Sequence, residues 1–318
     1  MQNTILMILF CLLMLISGCN SGSNLPFIVE DSLITNEPLT IEASKNLSDN
    51  QSTNVIKESK SPQYKIKKDF AYGSDPLQKM DIYYKTETSL LPVIFMVHGG
   101  AWKYGDKTNE NVYLNKVDHW VKNGFVFISV NYRMLPSADV KTQISDVALA
   151  LARAQATASN WNGDSQKFIL MGHSAGAHLI SLISANPDSA LNLGALPWVG
   201  SISLDSAALN VVSIMKAPHF KLYDEAFGKD YEYWVQVSPL HQMKSNMAPF
   251  LAVCSAKREL CVSHSKEFVD KSNSLGGKAI ILPVDLSHGE INKNLGLKNQ
   301  YTEKIDEFIN SLISKKSK

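Results

Sequence analysis

The residues whose types and spacing can do chemistry begin with Gly172-His173-Ser174-Ala175-Gly176. The apolar run Phe168-Ile169-Leu170-Met171 enters this pentapeptide, and the small, helix-favouring Ala177-His178-Leu179 leaves it. The pattern is strand, tight turn, helix, and such a turn lifts the Ser174 hydroxyl clear of the strand end. A free hydroxyl is a poor nucleophile at neutral pH and needs a base within hydrogen-bond reach. His288, in Ser287-His288-Gly289 beyond the apolar run Lys278 to Val284, is the candidate base. Upstream, His98-Gly99-Gly100-Ala101-Trp102 follows the buried-strand pattern Pro92 to Val97. A His-Gly-Gly turn at that place exposes backbone N–H groups able to hold a developing oxyanion. The chain order is oxyanion turn, nucleophile, histidine.

These residues need a scaffold of alternating elements. Tyr64 to Tyr72 and Met80 to Tyr84 read as an antiparallel sheet edge around the turn Gly73-Ser74-Asp75-Pro76. Helices are expected over Thr108 to Lys122, Val140 to Ser159, His264 to Leu275 and Asn299 to Ile313. Strands are expected over Phe125 to Asn131, Ser201 to Leu204 (reaching Asp205), Phe250 to Cys254 and Lys278 to Val284. Strands alternating with helices predict one mostly parallel sheet with helices on both faces. Ala207 to Met247 is less regular and rich in Phe220, Tyr223, Phe227, Tyr231, Tyr233 and Trp234. It reads either as a small cap over a site or as helices on the sheet edge.

With these pieces in hand, the chain resembles an α/β-hydrolase of the carboxylesterase type that carries His-Gly-Gly-x-Trp, a group that includes arylformamidase-like enzymes. The resemblance rests on His98 to Trp102, Gly105-Asp106-Lys107, Asn131-Tyr132-Arg133, Gly172 to Leu179, Ala226-Phe227-Gly228 and Ser287-His288-Gly289. It implies an α/β-hydrolase fold with a small cap over residues 63–318. It implies Ser174 as nucleophile and His288 as base, with oxyanion donors from the N–H groups of Gly100, Ala101 and Ala175. Relatives usually carry a third glycine where Ala101 stands. Trp102 either lines the acyl pocket or covers the turn. His98 shapes the oxyanion turn through its ring hydrogen bonds, and His173 and His178 are structural. The triad acid is expected after the strand Phe250 to Cys254, where relatives carry Asp. This chain has Ser255-Ala256-Lys257-Arg258-Glu259 instead. Glu259 is therefore the expected acid, Asp285 the alternative, Asp205 a third choice, and Arg258 a rival charge partner.

The expected activity is that of a serine carboxylesterase acting on small or aryl esters, with no cofactor and no metal. The alternatives are an arylformamidase and a non-catalytic binding module on a hydrolase fold. The near-balance of 31 Lys+Arg against 30 Asp+Glu gives no reason to expect a nucleic-acid partner. Oligomeric state cannot be read from the chain.

The N-terminus suggests export. Ile5 to Ile16 is nearly all apolar and too short to span a bilayer comfortably, as in a signal sequence. Leu15-Ile16-Ser17-Gly18-Cys19 resembles a bacterial lipobox, with a plain cleaved signal or an uncleaved anchor as alternatives. The expectation is a signal peptide over 1–18, lipid on Cys19, and a flexible polar tether over 19–62. A coil of roughly 40 residues would reach on the order of 35 Å. The protein would then be an exported bacterial lipoprotein anchored to a membrane, the outer membrane if the cell is Gram-negative. Outside the cytoplasm, Cys254 and Cys261 are expected either to form a disulfide bracing the acid loop or to stand as separate thiols.

Overall fold

A computed structural model describes residues 64–245 and 247–314. The expected signal peptide, lipidated Cys19 and tether lie outside these residues. Eight strands form one sheet: β1 (Lys65–Ala71), β2 (Lys79–Tyr84), β3 (Leu91–Val97), β4 (Val126–Val130), β5 (Gly163–His173), β6 (Gly200–Leu204), β7 (Phe250–Ser255) and β8 (Ala279–Val284). Their spatial order is β1-β2-β4-β3-β5-β6-β7-β8. β1, β2 and β4 pair antiparallel, and every pairing from β4 through β8 is parallel. The mostly parallel sheet read from the sequence is therefore present, with its antiparallel edge.

The central strands are continuous apolar runs because both of their faces are covered. Along β3, Val93, Phe95 and Val97 enter one core while Ile94 and Met96 enter another. Phe168 and Leu170 of β5 alternate in the same way with Ile169 and Met171. One face carries α2 (Val140–Ala156) and α3 (Ala175–Ala185), and the other carries α1 (Glu110–Lys122), α10 (His288–Lys293) and α11 (Gln300–Ile313). The short α4 (Asp188–Leu191) and the longer α9 (Glu259–Ser274) complete the helices outside the irregular region. That region, after β6, is four short helices: α5 (Val211–Lys216), α6 (Lys221–Phe227), α7 (Tyr231–Gln236) and α8 (Pro239–Gln242).

Two boundaries differ from expectation, and both matter for chemistry. α9 begins at Glu259 rather than near His264, so the loop expected to hold the acid is already helix. His288 is not in an open loop but is the first residue of α10. Ser287 caps that helix in a capping box, its backbone N–H donating to Glu290 Oε2 at 2.8 Å. The far end of α10 is held by α1. Lys116 Nζ, fully buried, donates to Asn292 O at 2.6 Å and to Asn111 O at 2.8 Å. Asn115 Nδ2 donates to Lys293 O at 2.7 Å. Burial pulls the Lys116 amine down to about 7.

Candidate active site

The turn at Ser174 forms because β5 and α3 meet with no spare residue between them. Ser174 sits at φ 55° and ψ −117°, a conformation side chains rarely adopt. Gly176 is required by close approach. A Cβ there would lie 2.3 Å from Val97 O and 2.4 Å from His98 O, so the first turn of α3 packs directly on the end of β3. Ser174 N–H donates to Leu204 O at 3.0 Å, which ties the turn to the end of β6.

Beside it, Gly100, Ala101 and Trp102 run at φ 125°, 52° and 60°. A Cβ on Gly100 would meet Tyr104 O at 2.1 Å, so only glycine fits. Ala101 tolerates the conformation at a cost on the order of 1 kcal/mol. Among the described residues, those with positive φ other than glycine are Asp69, Ala101, Trp102, Asn162, Ser174 and Asp205. Four of these six belong to this site, which is where backbone strain tends to be held for function. His98 is buried, stacks on Tyr132 with centroids 4.6 Å apart, and its carbonyl accepts from Tyr132 Oη at 3.0 Å. Its ring Nδ1 lies 2.7 Å from Gly99 O, within the turn it was expected to shape.

His288 lies next to the Ser174 turn. Its carbonyl accepts from His173 Nε2 at 3.0 Å, and the two rings stand 4.5 Å apart. No direct hydrogen bond joins Ser174 Oγ to His288 in this structure; such bonds are often long in unliganded sites. The other side of the imidazole is firmly held, since His288 Nδ1 is 2.6 Å from Asp205 Oδ2. Asp205 is fully buried, and its Oδ1 accepts from Ser255 N–H at 2.7 Å. Burial alone would raise this carboxyl. The hydrogen bond from His288, the charge of Arg258 and the Ser255 N–H outweigh burial and hold it well below the usual carboxylate range.

This corrects the expected acid. Glu259 is exposed at the first position of α9, where its charge suits the helix N-terminus and its side chain makes no contact with His288. Asp285 is also exposed and faces Lys257 at 3.3 Å. The residue after β7 that does reach the histidine is Arg258. Its Nη1 lies 2.5 Å from Asp205 Oδ2 and 2.9 Å from His288 Nδ1. The sequence signal for Asp205 was its place at the C-terminal end of a parallel strand.

Two further expectations change. Trp102 is 3% exposed and donates its indole N–H to His178 Nδ1 at 3.1 Å. Its ring packs on Phe227 at 4.8 Å, so it braces α6 against α3 rather than offering a surface to substrate. Cys254 and Cys261 are both buried free thiols, not a disulfide. Contact with Cys254, burial and the nearby Asp205 carboxylate push the Cys261 thiol up. His178 is locked as a neutral ring by Trp102 and by donation to Val237 O at 2.8 Å; burial lowers it to about 4. Burial and the neighbouring His288 lower His173 to about 3. Both rings are buried and hydrogen-bonded within the protein. Among the described residues no group of His, Cys, Asp and Glu could hold a metal ion. Surface clefts of about 490 and 450 Å³ are lined by residues other than Ser174, Asp205, Arg258 and His288.

The model of the family described as BD-FAE matches residues 80–271. Esterase LipC of Mycobacterium tuberculosis is 24% identical over 220 residues, covering 63% of this chain and 53% of that protein. The chain thus spans about half the length of that relative. The kynurenine formamidase of Salmo salar is 31% identical over 113 residues, 35% of this chain and 36% of that protein. Among solved structures, a truncated carbohydrate esterase from gut microbiota superposes with TM-score 0.69 at 20% identity, covering 80% of this chain and 98% of that one. Thermogutta terrifontis esterase 2 phosphonylated by sarin superposes with TM-score 0.65 at 18% identity, covering 81% and 98%. The fold is that of the α/β-hydrolase esterases.

Proposed function

Since the chain belongs to the BD-FAE family, we propose that it is a serine carboxylesterase cleaving small or aryl carboxylic esters, with Asp205 in the role first expected of Glu259. The observation that carries this reading is the 2.6 Å bond from His288 Nδ1 to a buried, ionised Asp205 beside a strained nucleophile turn. With Nδ1–H pointing at Asp205, the Nε2 lone pair of His288 is free to take the Ser174 proton as Oγ attacks the ester carbonyl. The tetrahedral oxyanion is met by the N–H groups of Gly100, Ala101 and Ala175. His288 returns the proton to the leaving alcohol, and water then hydrolyses the acyl-enzyme by the same route. Asp205 keeps the imidazole in the working tautomer and stabilises its charged form. No metal or cofactor enters this scheme.

The test is a fluorophosphonate probe with an ester panel on residues 63–318. Ser174 should be labelled, and Ser174→Ala should lose several orders of magnitude in kcat/KM, because the covalent route is gone. Retention of wild-type activity in that variant would overturn the reading. The similarity to a kynurenine formamidase favours a second reading, in which an N-formyl amide is the substrate. N-formylkynurenine in the same panel separates the two.

We also propose lipid anchoring through Cys19, supported by Leu15-Ile16-Ser17-Gly18-Cys19 after an apolar run. Labelled palmitate should enter the full-length protein and not Cys19→Ser; no incorporation in either would exclude the anchor.

A further inference from the structure

Resting on that reading, we infer that Arg258 is a positioning residue for the triad: it clamps Asp205 against His288 and sets the acidic end of the working pH range. Three atoms meet here in a triangle. Asp205 Oδ2 is 2.6 Å from His288 Nδ1 and 2.5 Å from Arg258 Nη1, and the two nitrogens are 2.9 Å apart. Two N–H donors therefore converge on one carboxylate oxygen. The other oxygen is occupied by Ser255 N–H, so the carboxylate cannot rotate away from either donor.

An ordinary triad sets one uncompensated negative charge behind the imidazole. Here a guanidinium balances that charge, and it stands beside the ring that must become positive in the transition state. The arrangement has two effects of opposite sign. The clamp fixes the carboxylate that selects the productive tautomer. The nearby cation also opposes the positive charge that the imidazole takes on in the transition state. The other charged and titratable groups around His288 are few. His173 packs on it from the end of β5 as a neutral ring. Lys257 and Asp285 pair with each other at the surface. Glu290 is taken up in capping α10. Lys116 reaches α10 only at its far end. Arg258 is the cation in direct contact with the ring.

The experiment removes the charge and keeps the scaffold. Arg258→Met should move the acid limb of kcat/KM for a neutral ester upward by roughly one pH unit, with KM little changed. Arg258→Lys keeps the charge and should restore most of the wild-type limb. Arg258→Gln, which still donates to Asp205, should behave like Met in pH profile and takes its place if Met does not fold. The His288 imidazole proton signal, assigned by its loss in His288→Gln, should titrate in step with the acid limb in each variant. That readout needs no activity. A moved NMR midpoint without ester hydrolysis would sink the esterase reading and leave the role of Arg258 standing. A limb and an NMR midpoint unmoved in both Met and Gln, with kcat lowered equally at every pH, would reduce Arg258 to packing and overturn the inference.

Discussion

The ends of β6 and β7 are neighbours in the sheet, joined by a parallel ladder from Ser201↔Phe250 to Leu204↔Val253, yet they carry opposite charges to the same histidine. β6 ends in Asp205, fully buried, in positive φ, with both carboxylate oxygens used. β7 runs on into Arg258, whose side chain is 35% exposed, and then into an exposed Glu259. In the proposed triad, the acid is the carboxylate that is buried and aimed at the Nδ1 of His288, not the one that the expected loop offers. A glutamate at the first turn of a helix is already well placed energetically at the surface. Turning it inward would cost a desolvated charge with no donor prepared for it.

The sharpest way to break this comparison is to neutralise the two carboxylates in turn. Asp205→Asn should lower kcat by about 10²–10⁴-fold with KM little changed, because the imidazole loses both its tautomer lock and its counter-charge. Glu259→Gln and Asp285→Asn should each stay within about twofold of wild type, as exposed groups away from the reacting atoms. Steady-state kinetics on one ester checks all three. A large loss in Glu259→Gln with Asp205→Asn near wild type would restore the β7 end as the source of the acid.

A smaller effect sharpens the comparison through stability. The folded Asp205 carboxyl is held below its unfolded value of about 3.9, so its stabilising contribution is fully present above that pH. It is lost as pH falls below that value toward the folded one. Thermal unfolding of wild type and Asp205→Asn should therefore converge as pH is lowered below about 4. The exposed Glu259→Gln should differ from wild type by no more than a charge at a helix N-terminus contributes, about 0.3–1 kcal/mol. A gap between wild type and Asp205→Asn that stays constant down to pH 3 would mean the carboxylate is not held by these partners.

Much of this was legible in the chain. Continuous apolar runs announced strands covered on both faces, and the glycines of the two tight turns marked where backbones approach closely. The tight turns at Ser174 and at Gly100–Ala101 were readable because each needs local sequence: a strand followed by a turn without side-chain bulk. The Asp205–His288 contact was not, because its requirement is purely spatial. Asp205 and His288 are 83 residues apart, and nothing local to Asp205 records that an imidazole will arrive beside it. The early start of α9 was hidden for a related reason. Arg258, its N-cap residue, makes no side-chain capping hydrogen bond, and its guanidinium is spent on Asp205 instead. Trp102 was misread because burial under α6 depends on how Tyr223 and Phe227 fold over it.

The six residues of α10 are too few to persist alone as a helix, since nucleation is not recovered over so short a length. Lys116 and Asn115 hold its last carbonyls from α1, on the same side of the sheet. The imidazole at the start of α10 is thereby enrolled in the cooperative unit of α1 and its core. Amide exchange from α10 is therefore expected to follow the opening of α1 rather than that of surface loops, which hydrogen exchange would check. The position of His288 is thus fixed from both ends of α10, by Ser287 at its start and by α1 at its finish.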